Sequence, residues 1–590
     1  MKQVSVGEVQ KFLLALTIIV WDAILVIFLG KGMIDSSSIV IIFLLASEAL
    51  LIALVWDPQV HTKASLLLVL CFAATIGYFS FAAVHVGVPR ESNLELKVAS
   101  DIVASGRIDK IYLLPRLQGV AAWPIIHVLA AEFSIQTSLG IEAVGLFLPI
   151  LIFVTYVGAI CLVAQDILPE RMALMVVLVV VPLGLVTRAI LSRESIAVLF
   201  LMLGLHAFLR IQRKPDWRSV ALFALFGTAL VLSHVFTSIF FVMILLVAWI
   251  AAQIMKHRAR RAGGLKNEAP RRTLGLTLVY STSVLAFLIF ATITITGSLA
   301  QLLGNTLSIL FFQEAEAFSY AYQRTPIEAS FRFQVFIWGS AAVGVCFLLI
   351  AVWALVKLYR EGSNDLTSNA TLSFTMTSCI SATIMTASIV IPRISRVVSY
   401  SRVYAFAWLF LALAAATSIA ALRSRRRLIP PIFAACALTL LLSNIAFIPP
   451  TLYSSKAVPN YAIGESSATF LLSEYNAVDW ITSHQPQARV VSDNKAIDLF
   501  NSHDKQISAN VYLTGGRDPV ASRVFLGNLT AFQSYDLLYL RFETFENLNG
   551  DGQTVPSSRA DPYLVADLLA SPSVGILYSS TSGVVIQNFH

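Results

Sequence analysis

Thirteen apolar runs, most of them long enough to cross a bilayer, follow one another through the first 450 residues of this chain. They lie at 10–30, 38–56, 64–87, 142–165, 171–189, 194–211, 218–233, 236–256, 274–297, 333–356, 370–391, 403–422 and 430–449. A helix needs about 20 apolar residues to span the hydrocarbon, fewer where protein covers part of it. Hydrophobic residues make up 57% of the 590 and charged residues 13%. No soluble globule of this size hides that much apolar surface, so lipid must cover it. The expected fold class is an α-helical polytopic membrane protein with about thirteen transmembrane helices. Its first run has only Lys2 and Lys11 as basic residues before it and lacks a small-residue cleavage site, so it reads as a retained helix rather than a signal peptide.

Charge sets the expected orientation. The net +8 is uneven: residues 451–590 carry thirteen Asp/Glu against eight Lys/Arg, which leaves the membrane part at +13. Basic residues cluster in three loops, with Arg210, Arg213, Lys214 and Arg218 in one. Lys256, Arg258, Arg260, Arg261, Lys266, Arg271 and Arg272 form a second cluster, and Arg423, Arg425, Arg426 and Arg427 a third. With thirteen spans these loops share one side, which the positive-inside bias makes cytoplasmic. The amino terminus is then cytoplasmic, the expected location is the plasma membrane, and residues 86–140 and everything after 450 face outward. The five cysteines (Cys71, Cys161, Cys346, Cys379, Cys436) all fall inside apolar runs without ligand spacing and read as core residues.

Three polar interruptions stand on the outer side. The longest, 86–140, opens with Glu91 and Glu95, continues through a helical pattern of Leu94, Val98, Ile102 and Val103, and ends in an amphipathic piece at 123–133. A loop of that length with its own secondary structure is usually functional. A second segment, 298–334, mixes aromatic residues with Glu314, Glu316, Arg324 and Arg332 and reads as an interfacial helix or a flap. A third, 392–402, places Arg393, Arg396 and Arg402 outside, against the usual bias. Beyond Pro449 and Pro450 the texture becomes polar and alternating, with a helix expected at 476–483 and strands at 488–492, 507–513, 536–542, 574–578 and 583–587. The expected domains are two additional amino-terminal helices (1–63), a transmembrane domain (64–450) and a small soluble extracytoplasmic α/β domain (451–590).

Several residues suit chemistry. Glu91, at the junction of lipid and water, suits a general base or a cation holder, and equally suits, with Glu95, the solvated first turn of a helix. Arg188 and Arg193 join Arg393, Arg396 and Arg402 as guanidinium groups able to grip a phosphate bidentately or to anchor lipid headgroups. Asp22 and Glu48 lie inside spans, where a carboxylate is a functional candidate by default. His127 and His234 stand near the outer ends of their segments with no zinc spacing around them. The chain has no Walker motif, no GxSxG and no basic, aromatic stripe for nucleic acid. An ATP-driven pump, a serine hydrolase and a nucleic-acid partner are therefore not expected.

Taken together, certain residues resemble a family. An acidic residue opens a large external loop, a helix ends in VASGRID, and a Pro-containing piece, AAWPIIHVLAAEFSIQTSLG, returns to the membrane. With the turn Ser192-Arg193-Glu194-Ser195-Ile196-Ala197, the Ser233-His234 turn and Ser401-Arg402-Val403-Tyr404, these are similar to features of the GT-C superfamily. Its members are polytopic membrane glycosyltransferases that use polyprenyl-phosphate-linked sugars, among them protein O-mannosyltransferase and arabinosyltransferase types. The match covers about 64–422, and Glu91-Ser92-Asn93 stands where the family commonly has an Asp pair. The resemblance implies transfer of a sugar from a lipid-phosphate donor to a glycan, lipid or protein acceptor on the external face of the bilayer. It implies Glu91 as the catalytic carboxylate, with Glu95 or Asp101 in support, and Arg393, Arg396, Arg402, Arg193 and Arg188 on the donor phosphate. His234, His127 and Glu194 are further supporting candidates, and the family leaves room for a divalent cation, Mg or Mn. The competing expectation is a transporter or lipid flippase whose path Asp22, Glu48 and the arginines would line.

Overall fold

The computed structural model describes residues 6–30, 37–57, 60–82, 90–108, 123–183, 191–261, 269–290, 331–361, 366–390, 407, 409–417, 429–447, 472–493, 500, 508–510, 535–541, 574–579 and 583–588. In the amino-terminal half, α1 (Val6–Gly30), α2 (Ser37–Trp56) and α3 (Thr62–Ala82) precede two helices of the long polar loop, α4 (Arg90–Ser105) and α5 (Ile125–Thr137). Next come α6 (Ile141–Gln165), α7 (Glu170–Val180), α8 (Arg193–Arg213), α9 (Trp217–Val231), α10 (Val235–Arg261) and α11 (Ala269–Phe290). Then follow α12 (Phe331–Glu361), α13 (Leu366–Val390), helical residues 409–417 and α14 (Ile429–Phe447).

Among the described residues, six of these helices contain stretches long and apolar enough to cross a membrane: Val9–Phe28, Thr62–Phe79, Ala143–Gln165, Arg193–Arg213, Val235–His257 and Pro270–Ile289. Shorter apolar stretches lie in α2, α5, α9, α12 and α14. The outward faces are apolar too, with Leu225, Val279, Trp338 and Leu349 all exposed. Such a surface is stable only against lipid, which makes the chain a membrane protein. Of the expected span at 171–189, residues 171–183 are described. Its helix α7 stops at Val180 and tightens into a 3-10 turn, Val181–Leu183, because Pro182 supplies no backbone N–H to continue it.

Helix α6 is the hinge of the packing, lying against α3, α7 and α8, and touching α4 and α5 of the loop. Small residues allow the close approaches. A Cβ on Gly77 of α3 would meet the Phe153 ring of α6 at 3.3 Å, and one on Gly145 of α6 would meet Leu96 of α4 at 2.6 Å. The loop helix is therefore seated directly on the start of α6. It ends at Gly106, whose φ of +71° and N–H bond to the Ile102 carbonyl (2.8 Å) form the left-handed cap that glycine adopts without strain.

After the last apolar helix, α15 (Leu472–His484) and five strands form one mixed sheet. The strands are β1 (Val490–Asp493), β2 (Ser508–Asn510), β3 (Leu537–Arg541), β4 (Val574–Ser579) and β5 (Gly583–Asn588), in the order β2-β1-β3-β5-β4. Strand β1 runs parallel to β2 and β3, while β5 runs antiparallel to β3 and β4. Ala477, Val478 and Ile481 of α15 pack on Val490, Leu537, Tyr539 and Val585 to make its core.

Candidate active site

Three elements far apart in sequence converge at the end of the bundle where α6 and α8 begin. Helix α4 is amphipathic, and the face that buries Leu96 and Ala99 also buries Glu95. Helix α5 buries His127 completely, alongside Ile126, Ala130 and Ala131. Helix α8 starts at Arg193 because Ser192, in extended conformation, caps it by accepting a bond from the Ser195 N–H at 3.1 Å. Glu194 occupies the first turn, where a carboxylate suits the helix dipole.

Glu95 joins the three. Its Oε1 accepts from Nε of Arg193 at 2.8 Å, and its Oε2 contacts Nε2 of His127. Burial alone pushes this carboxyl up, but the Arg193 guanidinium, then the His127 ring and the hydrogen bonds from both, outweigh it and hold the group below the usual carboxylate range. Glu95 is thus an ionised, fully engaged anchor rather than a base waiting for a proton. Nδ1 of His127 is buried without a partner. Arg193 differs from the other two in being 29% exposed, and Glu95 takes only its Nε. Its terminal nitrogens remain as donors at the start of α8, where the dipole also favours an anion. Trp123, buried at the head of α5, lies 5.1 Å from the Phe287 ring of α11 and ties the loop down on a second side.

Glu91 stands one turn before Glu95 on the same stripe of α4, although its side chain lies outside the described residues. Asp101 does not join Glu95; it pairs within its own helix with Nζ of Lys97 at 3.0 Å. Nδ1 of His234 contacts the Thr237 hydroxyl at 2.9 Å and accepts from the Thr237 backbone N–H at 3.4 Å, a local arrangement at the start of α10. Arg188, Arg393, Arg396 and Arg402 lie outside the described residues, as does most of the segment 298–334. Asp22 and Glu48 are both fully buried between helices; Asp22 is held by the Ser47 hydroxyl, and both Glu48 oxygens are without partners.

The residues do not fit a divalent cation at this point. Both Glu95 oxygens already face donors, and among the described residues no three His, Cys, Asp or Glu side chains gather as a ligand set. The sequence reading considered Glu95, His127 and Arg193 separately and did not join them. Separations of 32 and 98 residues leave no local spacing to read. The available signal was that Glu95 stands between Leu94 and Leu96, and His127 between Ile126 and Val128, each a polar residue in an apolar setting. A second cluster, unremarked in the sequence, closes the opposite ends of α6 and α8. There Asp166 meets Nδ1 of His206 at 2.5 Å, with Nη1 of Arg213 at 3.9 Å.

No protein-family model matches this sequence, and no curated protein matches it. Among solved structures, it is similar to the archaeal oligosaccharyltransferase AglB from Archaeoglobus fulgidus in complex with an inhibitory peptide and a dolichol-phosphate. Identity is 13%, over 82% of this chain and 70% of that one, with a TM-score of 0.48. It is also similar to the Archaeoglobus fulgidus oligosaccharyltransferase in complex with Zn and sulfate, at 14% identity over 88% and 73% and a TM-score of 0.46. The apo form of that enzyme gives 13%, 84%, 72% and 0.47. At these values the likeness carries no residue-by-residue correspondence, and what the chain does is read from its own site.

Proposed function

We propose that this chain is an integral membrane glycosyltransferase that moves a sugar from a lipid-phosphate-linked donor to a glycan, lipid or protein acceptor on the external face. The observation that carries the reading is the Arg193 guanidinium, fixed through Nε by a buried carboxylate at the start of a membrane helix, with its terminal nitrogens free of that pair. A guanidinium so placed suits a phosphate at the membrane surface. The sequence likeness of this region to GT-C enzymes points to the same chemistry. The external assignment rests on the basic loops: Arg210, Arg213, Lys214 and Arg218 lie at the far end of α8 from Arg193.

In this reading Arg193, with Arg188, Arg393, Arg396 and Arg402, takes the donor phosphate and stabilises the negative charge that grows on it as the bond from the sugar carbon to the phosphate oxygen breaks. Glu91 accepts the proton of the acceptor hydroxyl as the new glycosidic bond forms. Glu95 and His127 are positioning residues that hold Arg193 and dock α4. Asp101 is tied to Lys97 within its own helix. Should the family's divalent cation be used, its ligands would have to come from outside the Glu95 cluster. The transporter reading asks for a path beside Asp22 and Glu48. Both carboxyls are instead sealed in helix packing with no solvent exposure, which favours transfer.

The test is transfer from polyprenyl-phosphate sugars by the purified protein in lipid nanodiscs. Glu91→Gln is expected to abolish transfer while donor binding persists, and Arg193→Gln to abolish donor binding. Unchanged donor binding by Arg193→Gln sinks the phosphate assignment, and full activity of Glu91→Gln removes that residue from the role.

A further inference from the structure

The turn between α8 and α9 holds its charge close to the bundle. Arg210 and Arg213 end α8, Lys214 follows, and Trp217 and Arg218 open α9. Only three residues separate the two helices, because Asp216 caps α9 at once by accepting from the Ser219 N–H at 2.7 Å. All four cations are exposed, and so is Trp217, to 75%. The Arg218 guanidinium stands 5.9 Å from the centre of the Trp217 ring, within cation–π range.

Helix α11 brings another cation to the same level. Both α9 and α11 pack on α10, which lies between them in sequence, and the connections at its two ends make them run in one direction. They meet where a Cβ on Gly227 of α9 would stand 3.2 Å from the Tyr280 ring of α11, a ring that also lies 6.3 Å from that of Phe223. Nine residues before this contact stand Arg218 on α9 and Arg271 on α11, both exposed. Nine residues is two and a half turns, so both arginines point away from the contact, toward the outside of the bundle. Seven residues after each arginine, on the same stripe, come Leu225 and Leu278, exposed to 61% and 58%. The two helices thus repeat one pattern: a cation at the end, and an exposed leucine about 10 Å deeper.

Length makes this end a meeting point with lipid headgroups. Helix α9 rises about 22 Å, short of the roughly 30 Å of hydrocarbon, so the bilayer must draw in toward it. The end that can receive headgroups is the one carrying Trp217, a residue suited to the interface, and the cations. The carboxylates beside them are Asp216, engaged in the cap, and Asp166, which His206 and Arg213 share. With Arg271 the cations number five, so positive charge is in excess. We infer that the outward faces of α9 and α11, with the turn before α9, bind an anionic phospholipid. Its phosphate lies among Lys214, Arg218 and Arg271, and its acyl chains run along Leu225 and Leu278. A zwitterionic headgroup adds an ammonium that the same cations repel, so the site selects net negative lipid. It lies at the other end of α8 from Arg193 and does not depend on the glycosyltransferase reading.

The test is native mass spectrometry of the full-length protein in detergent, titrated with phosphatidylglycerol and phosphatidylcholine of matched acyl chains. The unaltered protein is expected to retain phosphatidylglycerol preferentially. Arg218→Gln with Arg271→Gln should lower that preference about tenfold or more. Lys63→Gln with Arg360→Gln removes the same charge from exposed positions elsewhere and should leave the preference in place. Equal retention of the two lipids by the unaltered protein overturns the site. An equal loss in both double variants also overturns it, since the attraction would then follow net charge alone. A second measurement uses nanodiscs of the two lipids, with bromine on the acyl chains of one or the other. The emission that Trp217→Phe removes should be quenched more by brominated phosphatidylglycerol than by brominated phosphatidylcholine, and equal quenching counts against the site.

Discussion

Nε of Arg193 donates to Oε1 of Glu95 at 2.8 Å across 98 residues of sequence, and this bond helps to fasten the polar loop to the membrane bundle. The carboxylate is buried and the guanidinium partly exposed, so one end of the pair anchors while the other faces outward.

Arg193→Lys separates charge from geometry. A lysine keeps the positive charge but offers a single ammonium, which cannot bond Glu95 and present a fork to a phosphate together. Donor affinity is expected to fall about tenfold to a hundredfold, as for loss of a charge-assisted hydrogen bond, with the turnover of bound donor less affected. Titration of donor binding beside single-turnover kinetics reads the two separately.

The pairing gives the loop a dependence on acid. Because the folded Glu95 carboxyl sits below its usual range, its contribution to docking is fully present above the unfolded value of about 4.3 and is lost as pH falls through the folded value. Protection factors of α4 amides, taken against intrinsic exchange at each pH, should fall below the ordinary carboxylate range while those of α6 stay high. Glu95→Gln should remove that pH dependence and loosen α4 at neutral pH, costing about 1.5–3 kcal/mol as a charge-assisted hydrogen bond is lost. Protection factors of α4 in the variant that still fall steeply with acid would contradict the role.

Gly145 is where α4 touches α6. A Cβ there would stand 2.6 Å from Cδ1 of Leu96, so Gly145→Val must push the Leu96 side chain aside and crowd the seat of the loop helix beside Glu95. Overpacking of this kind costs about 1–3 kcal/mol. Transfer is expected to fall with the bundle still folded, and the double change Gly145→Val with Leu96→Ala should recover part of it. No recovery would mean that the valine acts by another route.

Orientation is checked directly on sealed, right-side-out cells. Protease added outside should remove the segment beyond residue 450, including the sheet of β1 to β5, and leave the apolar helices. Protection of that segment would reverse the side on which Glu95 and Arg193 act.

The helices of the bundle were legible because lipid imposes a single rule, long apolar stretches, that can be read one segment at a time. The cap at Gly106 was legible in VASGRID for a similar reason: a left-handed helix end is a property of a few neighbouring residues. The strands at Val490–Asp493 and Val574–Ser579 fall on stretches whose alternation marked them. At 171–189 apolarity suggested one regular helix, and at a proline within the run it tightens into a 3-10 turn. The cluster was not legible. Glu91 and Glu95 look alike in sequence, and only the seating of Leu96 on Gly145 brings Glu95 against Arg193. Asp101 read, like Glu95, as support for Glu91, and its pairing with Lys97 within the same helix could not be told apart from that in sequence. His127 looked like an isolated histidine because its partner lies 32 residues away on another helix. Local composition, acting through lipid and the helix period, determined which segments are helical. Which polar side chains meet was decided by how those helices pack, since a buried carboxylate stays charged only where packing brings donors to it.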